Sequence, residues 1–307
     1  MPAFSPTYRI GVNLGFAVNR YPEPNDWIEA ICEIGVKRVQ FVADLLNPYL
    51  PLEFRKKKTA EIQQKCDKAG IIIESAFTGA FTRVNHFGSE EKAIRDYWEK
   101  WFVEYARQSS EMGATTIGGH PGILSLKQDS NEKVRADRME EIAERWHRVS
   151  EKVSSYGISQ ICWEPMSISR ELGHTISDAA IFQEILESYS KEKFFLCLDL
   201  DHGDLMSKNT IDTLPTEWIK TFKSKIGMLH LKQTTLDRRR NMSFTDENNA
   251  NGTVSGPQIL NTLKENKVND LTMYLELGFR ERNPDDYRAI FENQQSAEYW
   301  IKHGACL

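Results

Sequence analysis

The sequence of 307 residues lacks an excess of basic residues, with 39 Lys and Arg against 44 Asp and Glu and a net charge of −5. This balance gives no reason to expect nucleic acid as the main partner, although a local basic cluster would suffice for one small anion. No segment approaches 18 consecutive apolar residues, so no membrane span is expected. The N-terminal MPAFSPTYRI also lacks the basic region and apolar stretch of a secretory signal.

Cysteine is scarce as well. The five cysteines are odd in number and show no CxxC spacing. This pattern is typical of free thiols in a reducing compartment rather than of a disulfide framework. Together with the missing signal sequence, it predicts a cytoplasmic protein.

Strand-like and helix-like segments alternate along the whole chain. Short β-rich apolar runs recur eight times, at 8–17, 36–45, 71–78, 115–122, 158–165, 194–203, 226–233 and 271–279. Helical patterns follow them at 25–34, 53–69, 89–112, 131–156, 177–190, 214–225, 256–267 and 284–302. Eight such units predict an α/β fold, a (β/α)8 TIM barrel formed by a single domain over residues 1–307.

Four polar residues stand near the ends of the last four strands. Their spacings are 35, 31 and 46 residues, about one strand plus one helix each; they are Glu164, Asp199, His230 and Glu276. Strand alternation places each of them opposite the apolar positions, as Glu164 stands opposite Ile161 and Trp163. We therefore expect all four to face the barrel axis at the C-terminal end of the strands, the active face of barrel enzymes.

Three carboxylates and an imidazole buried together need a compensating charge, because each carboxylate is desolvated beside its like-charged neighbours. A divalent metal ion removes that conflict. Oxygen ligands with one imidazole favour Mn²⁺, with Mg²⁺, Co²⁺ and Zn²⁺ as alternatives. Asp201 competes with Asp199 for the ligand role because both have the same parity.

Three further histidines follow strand ends. His202 is placed to reach a substrate oxygen, and His120 in GGHPG is a weaker candidate for the same role. His86, in TRVNHFG, follows the third strand. A single loop histidine is more often structural, so we expect no catalytic role for His86.

Several motifs resemble those of a known family. The E-P-M after strand five, the L-D-x-x-H after strand six, the histidine of strand seven and the glutamate of strand eight resemble the xylose-isomerase-like barrels of the sugar isomerase/epimerase type, such as the D-tagatose 3-epimerases. The resemblance implies that Glu164, Asp199, His230 and Glu276 bind the metal, and that Glu164 and Glu276 also form an acid/base pair.

The resemblance further implies that His202 and Arg238 contact the substrate. One departure concerns the second glutamate, which the ketose epimerases carry six residues after the first ligand. Here that position is Arg170, and Glu171 follows it. The stretch LKQTTLDRRRNMSFTDENNANG resembles a subgroup that acts on short-chain ketose phosphates such as erythrulose phosphate.

The implied chemistry is proton transfer beside a carbonyl. A metal that chelates a ketose carbonyl and its neighbouring hydroxyl acidifies the intervening C–H and stabilises an enediolate. Glu164 and Glu276 come from strands five and eight, so they are placed to address opposite faces of that intermediate. Return of the proton to the other face is epimerisation, and return to the neighbouring carbon is aldose–ketose isomerisation; the sequence leaves both open.

The longest aperiodic segment, 235–255, carries three arginines, Arg238 to Arg240, and Lys232 precedes it with inward parity. Such a charge run is often only solvated. Barrel enzymes, however, frequently bind phosphate through the loops after strands seven and eight, and guanidinium groups suit a bidentate grip. We therefore predict a sugar or sugar phosphate as the small-molecule partner, with Arg238 and Lys232 as candidate ligands.

Other functions share this kind of site. An apurinic endonuclease uses more histidines at its strand ends, whereas this chain has seven in total. An inosose-type dehydratase uses the same enolate stabilisation but expels a hydroxyl group. A non-enzymatic metal- or sugar-binding scaffold is the third alternative. Homo-oligomer formation is expected only by analogy with related barrels.

Overall fold

Eight parallel strands form a closed barrel in the computed structural model, which describes residues 5–190, 192–236 and 241–307. The strands are Tyr8–Asn13 (β1), Arg38–Val42 (β2), Ile72–Phe77 (β3), Thr116–Gly119 (β4), Gln160–Trp163 (β5), Phe194–Asp199 (β6), Ile226–Leu231 (β7) and Leu271–Leu275 (β8). Each strand pairs with its sequence neighbour, and β1 pairs with β8. The predicted (β/α)8 barrel is confirmed.

Helices follow the strands and cover the outside of the barrel. In the described ranges they are Pro24–Ile34 (α1), Leu52–Ala69 (α2), Lys92–Glu111 (α3), Leu126–Asp129 (α4), Glu132–Ser154 (α5), Ile176–Tyr189 (α6), Pro215–Phe222 (α7), Asp246–Asn251 (α8), Gly256–Glu265 (α9) and Asp285–Lys302 (α10). The eight predicted helices are all present, with ends shifted by a few residues. The short α4 and α8 were not predicted.

Glycine ends α1 and α2 in the left-handed conformation. Gly35 has φ +84° and Gly70 has φ +68°. A residue without Cβ adopts this geometry without a steric penalty, so the chain can leave the helix and enter the next strand.

Strand alternation divides the apolar residues into two clusters. Leu229 and Leu231 belong to the large cluster between strands and helices, whereas Met228 belongs to a small cluster inside the barrel. That inner cluster consists of Phe77, Cys162, Cys197, Met228 and Tyr274. The barrel is therefore filled by side chains, and the polar ends of its strands lie on top of this filling.

Two isolated bridges and a short helix lie in the segment that follows β7. Gln233 pairs with Met242 and Thr235 pairs with Gly252 in isolated antiparallel bridges, and α8 lies between Met242 and Gly252 along the chain. Arg238, Arg239 and Arg240 lie outside the described residues. Among the described helices, none combines the length and the apolar character needed to cross a membrane.

Candidate active site

Each of the four predicted metal ligands stands at the C-terminal end of its strand. Glu164 directly follows β5, and its backbone N–H donates to the carbonyl of Gly119, 3.0 Å away. Asp199 is the last residue of β6. The ends of the adjacent strands therefore determine the backbone positions of both residues.

The other two come from β7 and from the residue after β8. His230 is the penultimate residue of β7, and the backbone N–H of Glu276 donates to the carbonyl of Leu231 at 3.2 Å. One ligand atom from each of the four side chains lies within 4.8 Å of every other. The structure therefore brings together the set that the sequence indicated; their role as ligands stays a prediction.

The contacts inside the cluster connect acids with bases. Nδ1 of His230 lies 3.0 Å from Oε1 of Glu164 and 3.1 Å from Oε2 of Glu276. Lys232, one residue past β7, places Nζ 2.5 Å from Oδ2 of Asp199 and 2.6 Å from Oε2 of Glu276. The predicted substrate residue Lys232 is therefore part of the cluster itself, buried and paired with two of the carboxylates.

The cluster shifts the acid–base equilibria of its members. Burial alone would raise the pKa of Asp199, but attraction to His202 and Lys232 lowers it. Burial would likewise raise the pKa of Glu276, but attraction to His230 and Lys232 lowers it. Burial would lower the pKa of Lys232, yet Asp199 and Glu276 raise it well above its ordinary value. Burial would also lower the pKa of His230, but Cys197, Glu276 and Glu164 raise it well above its ordinary value. Asp199 and Glu276 are therefore ionised, and Lys232 is an ammonium group.

The donor set fits a divalent cation. Oδ2 of Asp199 lies within ion-pair distance of Lys232 and His202, and Oε2 of Glu276 lies within ion-pair distance of Lys232 and His230. An imidazole that binds a cation is neutral, and with His230 in that form the three formally negative carboxylates exceed the single positive charge of Lys232 by two. Carboxylate oxygens and one imidazole with that excess charge are the donor set of a hard dication.

Asp201, the competitor of Asp199, lies beside the cluster rather than in it. Its backbone N–H donates to Oδ1 of Asp199 at 2.9 Å, and its buried side chain lines the pocket. Among the described residues, the four-membered cluster contains Asp199 and not Asp201. The interpretation of Asp199 as the candidate ligand is therefore favoured.

A pocket of about 620 Å³ opens above the cluster. It is lined by Glu164, Glu276 and Lys232 and by two of the three other histidine candidates, His120 and His202. Nδ1 of His202 lies 2.9 Å from the Pro165 carbonyl, and its Nε2 lies 3.2 Å from Oδ2 of Asp199. His202 therefore stands between the cluster and the pocket.

His120 and His86 form a buried stacked pair. Their ring centroids are 4.0 Å apart, and within the described part of the chain all four ring nitrogens lack a hydrogen-bond partner. Burial and the nearby Arg83 lower the pKa of His120 to about 3, so its ring is neutral. Only His120 of the two lines the pocket. An unpaired buried nitrogen beside a pocket is a candidate to meet a ligand hydroxyl group.

The shifted glutamate after β5 also reaches the pocket. Glu171 is 4% exposed, lines the pocket and pairs with Nη2 of Arg83. The one-residue shift relative to the ketose epimerases therefore leaves a carboxylate at the pocket wall, but one that an arginine neutralises.

Sequence reasoning missed two polar residues behind the cluster, Asn13 and Gln40. Oε1 of Gln40 lies 2.8 Å from Nε2 of His230. A signal for it exists, since Gln40 is the polar residue of inward parity in the otherwise apolar run VQFV of β2.

This fold and site define the class of protein: the chain belongs to the family of xylose isomerase-like TIM barrels, which residues 28–297 match. A particular relative is the D-erythrulose 1-phosphate 3-epimerase of Brucella abortus (strain 2308), which is 29% identical over 297 residues that cover 96% of each chain. The resemblance predicted from the sequence motifs is thereby confirmed.

Solved structures share the fold. A protein of Rhodospirillum rubrum ATCC 11170, provisionally assigned as a xylose isomerase, superposes with a TM-score of 0.85 at 22% identity over 96% of this chain and 99% of that chain. The D-psicose 3-epimerase of Clostridium cellulolyticum H10, solved with D-tagatose, gives 0.71 at 14% identity over 97% of this chain and 100% of that chain. The named epimerases among these proteins are isomerases.

Proposed function

We propose that this chain is a divalent-metal-dependent 3-epimerase of a short-chain ketose phosphate, with a tetrulose phosphate as the substrate class. The observation that carries the proposal is the cluster of Glu164, Asp199, His230 and Glu276 within 4.8 Å at the active face of the barrel. The 29% identity to an epimerase of D-erythrulose 1-phosphate supports the choice of substrate.

Glu164, Asp199, His230 and Glu276 would hold the metal, with Mn²⁺ as the first candidate and Mg²⁺, Co²⁺ and Zn²⁺ as alternatives. When bound, the ion would polarise the substrate carbonyl and so acidify the neighbouring C–H. The close approach of one ligand atom from each of these four side chains supports this assignment.

Glu164 and Glu276 would transfer the proton. They follow β5 and β8, three strands apart around the barrel, and both line the pocket. One carboxylate accepts the proton from one face of the α-carbon, and the other glutamate, in its protonated form, donates its own proton to the opposite face, which inverts the configuration. Lys232 keeps Glu276 ionised, as a base requires.

Substrate contacts are assigned to His202, His120 and Lys232, which all line the pocket. The buried, neutral ring of His120 can donate to or accept from a hydroxyl group. For the phosphate we retain Arg238, which lies outside the described residues, as the candidate ligand. We further propose that the chain acts as one domain in the cytoplasm, as its free cysteines suggest.

The test is proton exchange in D₂O. D-Erythrulose 1-phosphate with Mn²⁺ should gain deuterium at C3 and form its epimer in NMR spectra, whereas Glu276→Gln should fold normally and exchange at least 100-fold more slowly. Unphosphorylated erythrulose should react less well, and inorganic phosphate should compete. Exchange at the wild-type rate in Glu276→Gln would remove Glu276 as the base.

Product identity separates the remaining alternatives. An aldose product would indicate aldose–ketose isomerisation, and irreversible loss of water would indicate a dehydratase. Protein without stoichiometric Mn²⁺ binding and without turnover of C4 to C6 ketoses or their phosphates would contradict the proposal.

A further inference from the structure

The imidazole of His230 is held from behind by a chain of hydrogen bonds. Its Nε2 lies 2.8 Å from Oε1 of Gln40, whereas its Nδ1 faces Glu164 and Glu276. Nδ2 of Asn13 lies 2.5 Å from the same Gln40 oxygen. Oδ1 of Asn13 in turn lies 2.7 Å from the backbone nitrogen of Gly15.

The direction of this chain follows from its fixed end. A backbone N–H can only donate, so Oδ1 of Asn13 must be the atom that faces Gly15, and Nδ2 must face Gln40. Because that amino group can only donate, Gln40 presents its oxygen. An amide oxygen can only accept, so Nε2 of His230 must carry a proton.

The remaining contacts of Gln40 agree with this direction. Its Nε2 faces Oγ of Ser75 at 3.4 Å and Sδ of Met228 at 3.2 Å, both of which can accept. Gln40 is 0% exposed, so water is not an alternative partner for its amide, whereas Asn13 is 4% exposed and lines the pocket. Asn13 and Gln40 also face each other in the β1–β2 register.

We propose that Asn13 and Gln40 are positioning residues that keep the proton of His230 on Nε2 in every charge state of the ring. Nδ1, on the carboxylate side, is then the nitrogen whose lone pair is available to a divalent cation. This inference rests on the proposed metal site. β1 and β2 contribute no ligand to the cluster, but Asn13 and Gln40 would prepare His230 as a ligand. Hydrogen-bonded partners of ligating histidines are known to fix the tautomer in this way.

Two isosteric substitutions separate this role from electrostatics. Asn13→Asp and Gln40→Glu each add one negative charge behind the same imidazole, so attraction alone would tighten cation binding in both. In Gln40→Glu the new carboxylate still accepts from Asn13 and from His230, and Mn²⁺ affinity should equal or exceed that of the wild type.

Asn13→Asp should have the opposite effect. Its carboxylate places an acceptor against Oε1 of Gln40, so the Gln40 amide turns and offers its amino group to both neighbours. Nε2 of His230 then accepts, the proton moves to Nδ1, and Mn²⁺ affinity should fall roughly 10- to 100-fold, the usual effect of losing such a partner.

Mn²⁺ affinity is measured by electron paramagnetic resonance of the free ion, with circular dichroism as the control for folding. Nitrogen-15 NMR of the Mg²⁺-loaded protein should show the His230 proton on Nε2 in the wild type and on Nδ1 in Asn13→Asp. If Asn13→Asp does not fold, Gln40→Met, which removes the acceptor, should show the same weakening. Equal or tighter binding in both Asn13→Asp and Gln40→Met, or a wild-type proton confined to Nδ1, would overturn the inference.

The two proposals fail in different ways. A wild type that binds no Mn²⁺ contradicts the metal site. The NMR experiment on the metal-free protein, at a pH high enough for the ring to hold a single proton, still reads the Nε2 proton in that case, because the chain through Gln40 requires it with or without a cation. A metal-free ring that carries its proton on Nδ1 alone contradicts the role of Asn13 and Gln40.

Discussion

Nζ of Lys232 lies 2.6 Å from Oε2 of Glu276. The same ammonium group lies 2.5 Å from Oδ2 of Asp199, so one buried lysine side chain serves two of the three carboxylates in the cluster. An imidazole that binds a cation is neutral, and with His230 in that form the three formally negative carboxylates exceed the positive charge of Lys232 by two. A single dication would then make the cluster electrically neutral, which favours its binding.

Lys232→Met should therefore destabilise the metal-free protein more than the metal-loaded one. Removing one partner of a buried ion pair lowers the free energy of unfolding by about 3–5 kcal/mol. We expect the lower end of this range here because 32% of the Glu276 side chain is exposed. Thermal unfolding in EDTA should show a lower Tm than wild type, and Mn²⁺ should raise the Tm of the variant by more than it raises that of the wild type.

The matched control is Lys220→Met, which removes a lysine that pairs with Glu217 at 2.6 Å but is 50% exposed. Exposed ion pairs contribute little to the free energy of unfolding, so the Tm of Lys220→Met should stay near that of the wild type with or without Mn²⁺. Equal Tm values for wild type and Lys232→Met in EDTA would contradict the role of Lys232 as the resident cation.

His120→Phe and His86→Phe distinguish a ligand-binding histidine from a packing one. Both rings are buried and neither finds a hydrogen-bond partner among the described residues, so an aromatic ring without nitrogen should leave stability unchanged or slightly raise it. Because only His120 lines the pocket, His120→Phe should lower kcat/KM at least 10-fold, whereas His86→Phe should keep it within about 2-fold of wild type.

Steady-state kinetics on the ketose phosphate, with Tm values for both variants, check this expectation. Equal losses of kcat/KM in the two variants would mean that the stacked pair acts through its packing. In that case His120 would be a structural residue, as the general expectation for a lone histidine suggested.

Patterns along the sequence predicted the barrel and the candidate cluster because both depend on local regularities. Eight alternating strand and helix signals favour a closed parallel barrel over an open sheet, and a period of two along each strand predicts that Asp199 and His230 face the axis. Glu164 and Glu276 stand one residue past their strands, where the same parity still applies.

The contacts between distant strands were not predictable in this way. Lys232 was expected near the loop after β7, but its distance to Asp199 depends on the register between β6 and β7, which includes a shift between Leu196 and Cys197. The contact between Gln40 and His230 spans 190 residues and crosses the barrel interior. No spacing along the chain encodes such a contact.

The loop that carries Glu171 is anchored by a partly buried ion pair, which gives a further prediction. Nη2 of Arg135 lies 2.7 Å from both carboxylate oxygens of Asp178 and also donates to the carbonyl of Ser169 at 3.4 Å. The Gly173 backbone N–H donates to Oδ2 of Asp178 at 2.8 Å. Asp178→Asn removes the charge at the centre of this network and should lower the free energy of unfolding by about 3 kcal/mol at neutral pH.

The pH dependence of that difference follows from the pKa of Asp178. Burial alone would raise this pKa, but His174 and Arg135 lower it below its ordinary value. A carboxyl whose pKa is lower in the folded than in the unfolded state stabilises the fold above the unfolded pKa, about 3.9, and loses that contribution as pH falls through the folded pKa. Urea unfolding should therefore show a constant difference in the free energy of unfolding between wild type and Asp178→Asn from pH 8 to about pH 5, and a shrinking gap below about pH 4.

The control is Asp137→Asn, which removes the carboxylate from a pair whose aspartate is 64% exposed. It should show almost no gap at any of these pH values. A gap for Asp178→Asn that persists unchanged into the acid range would mean that the asparagine disturbs packing rather than charge, and the ion pair would then not be what holds the Glu171 loop.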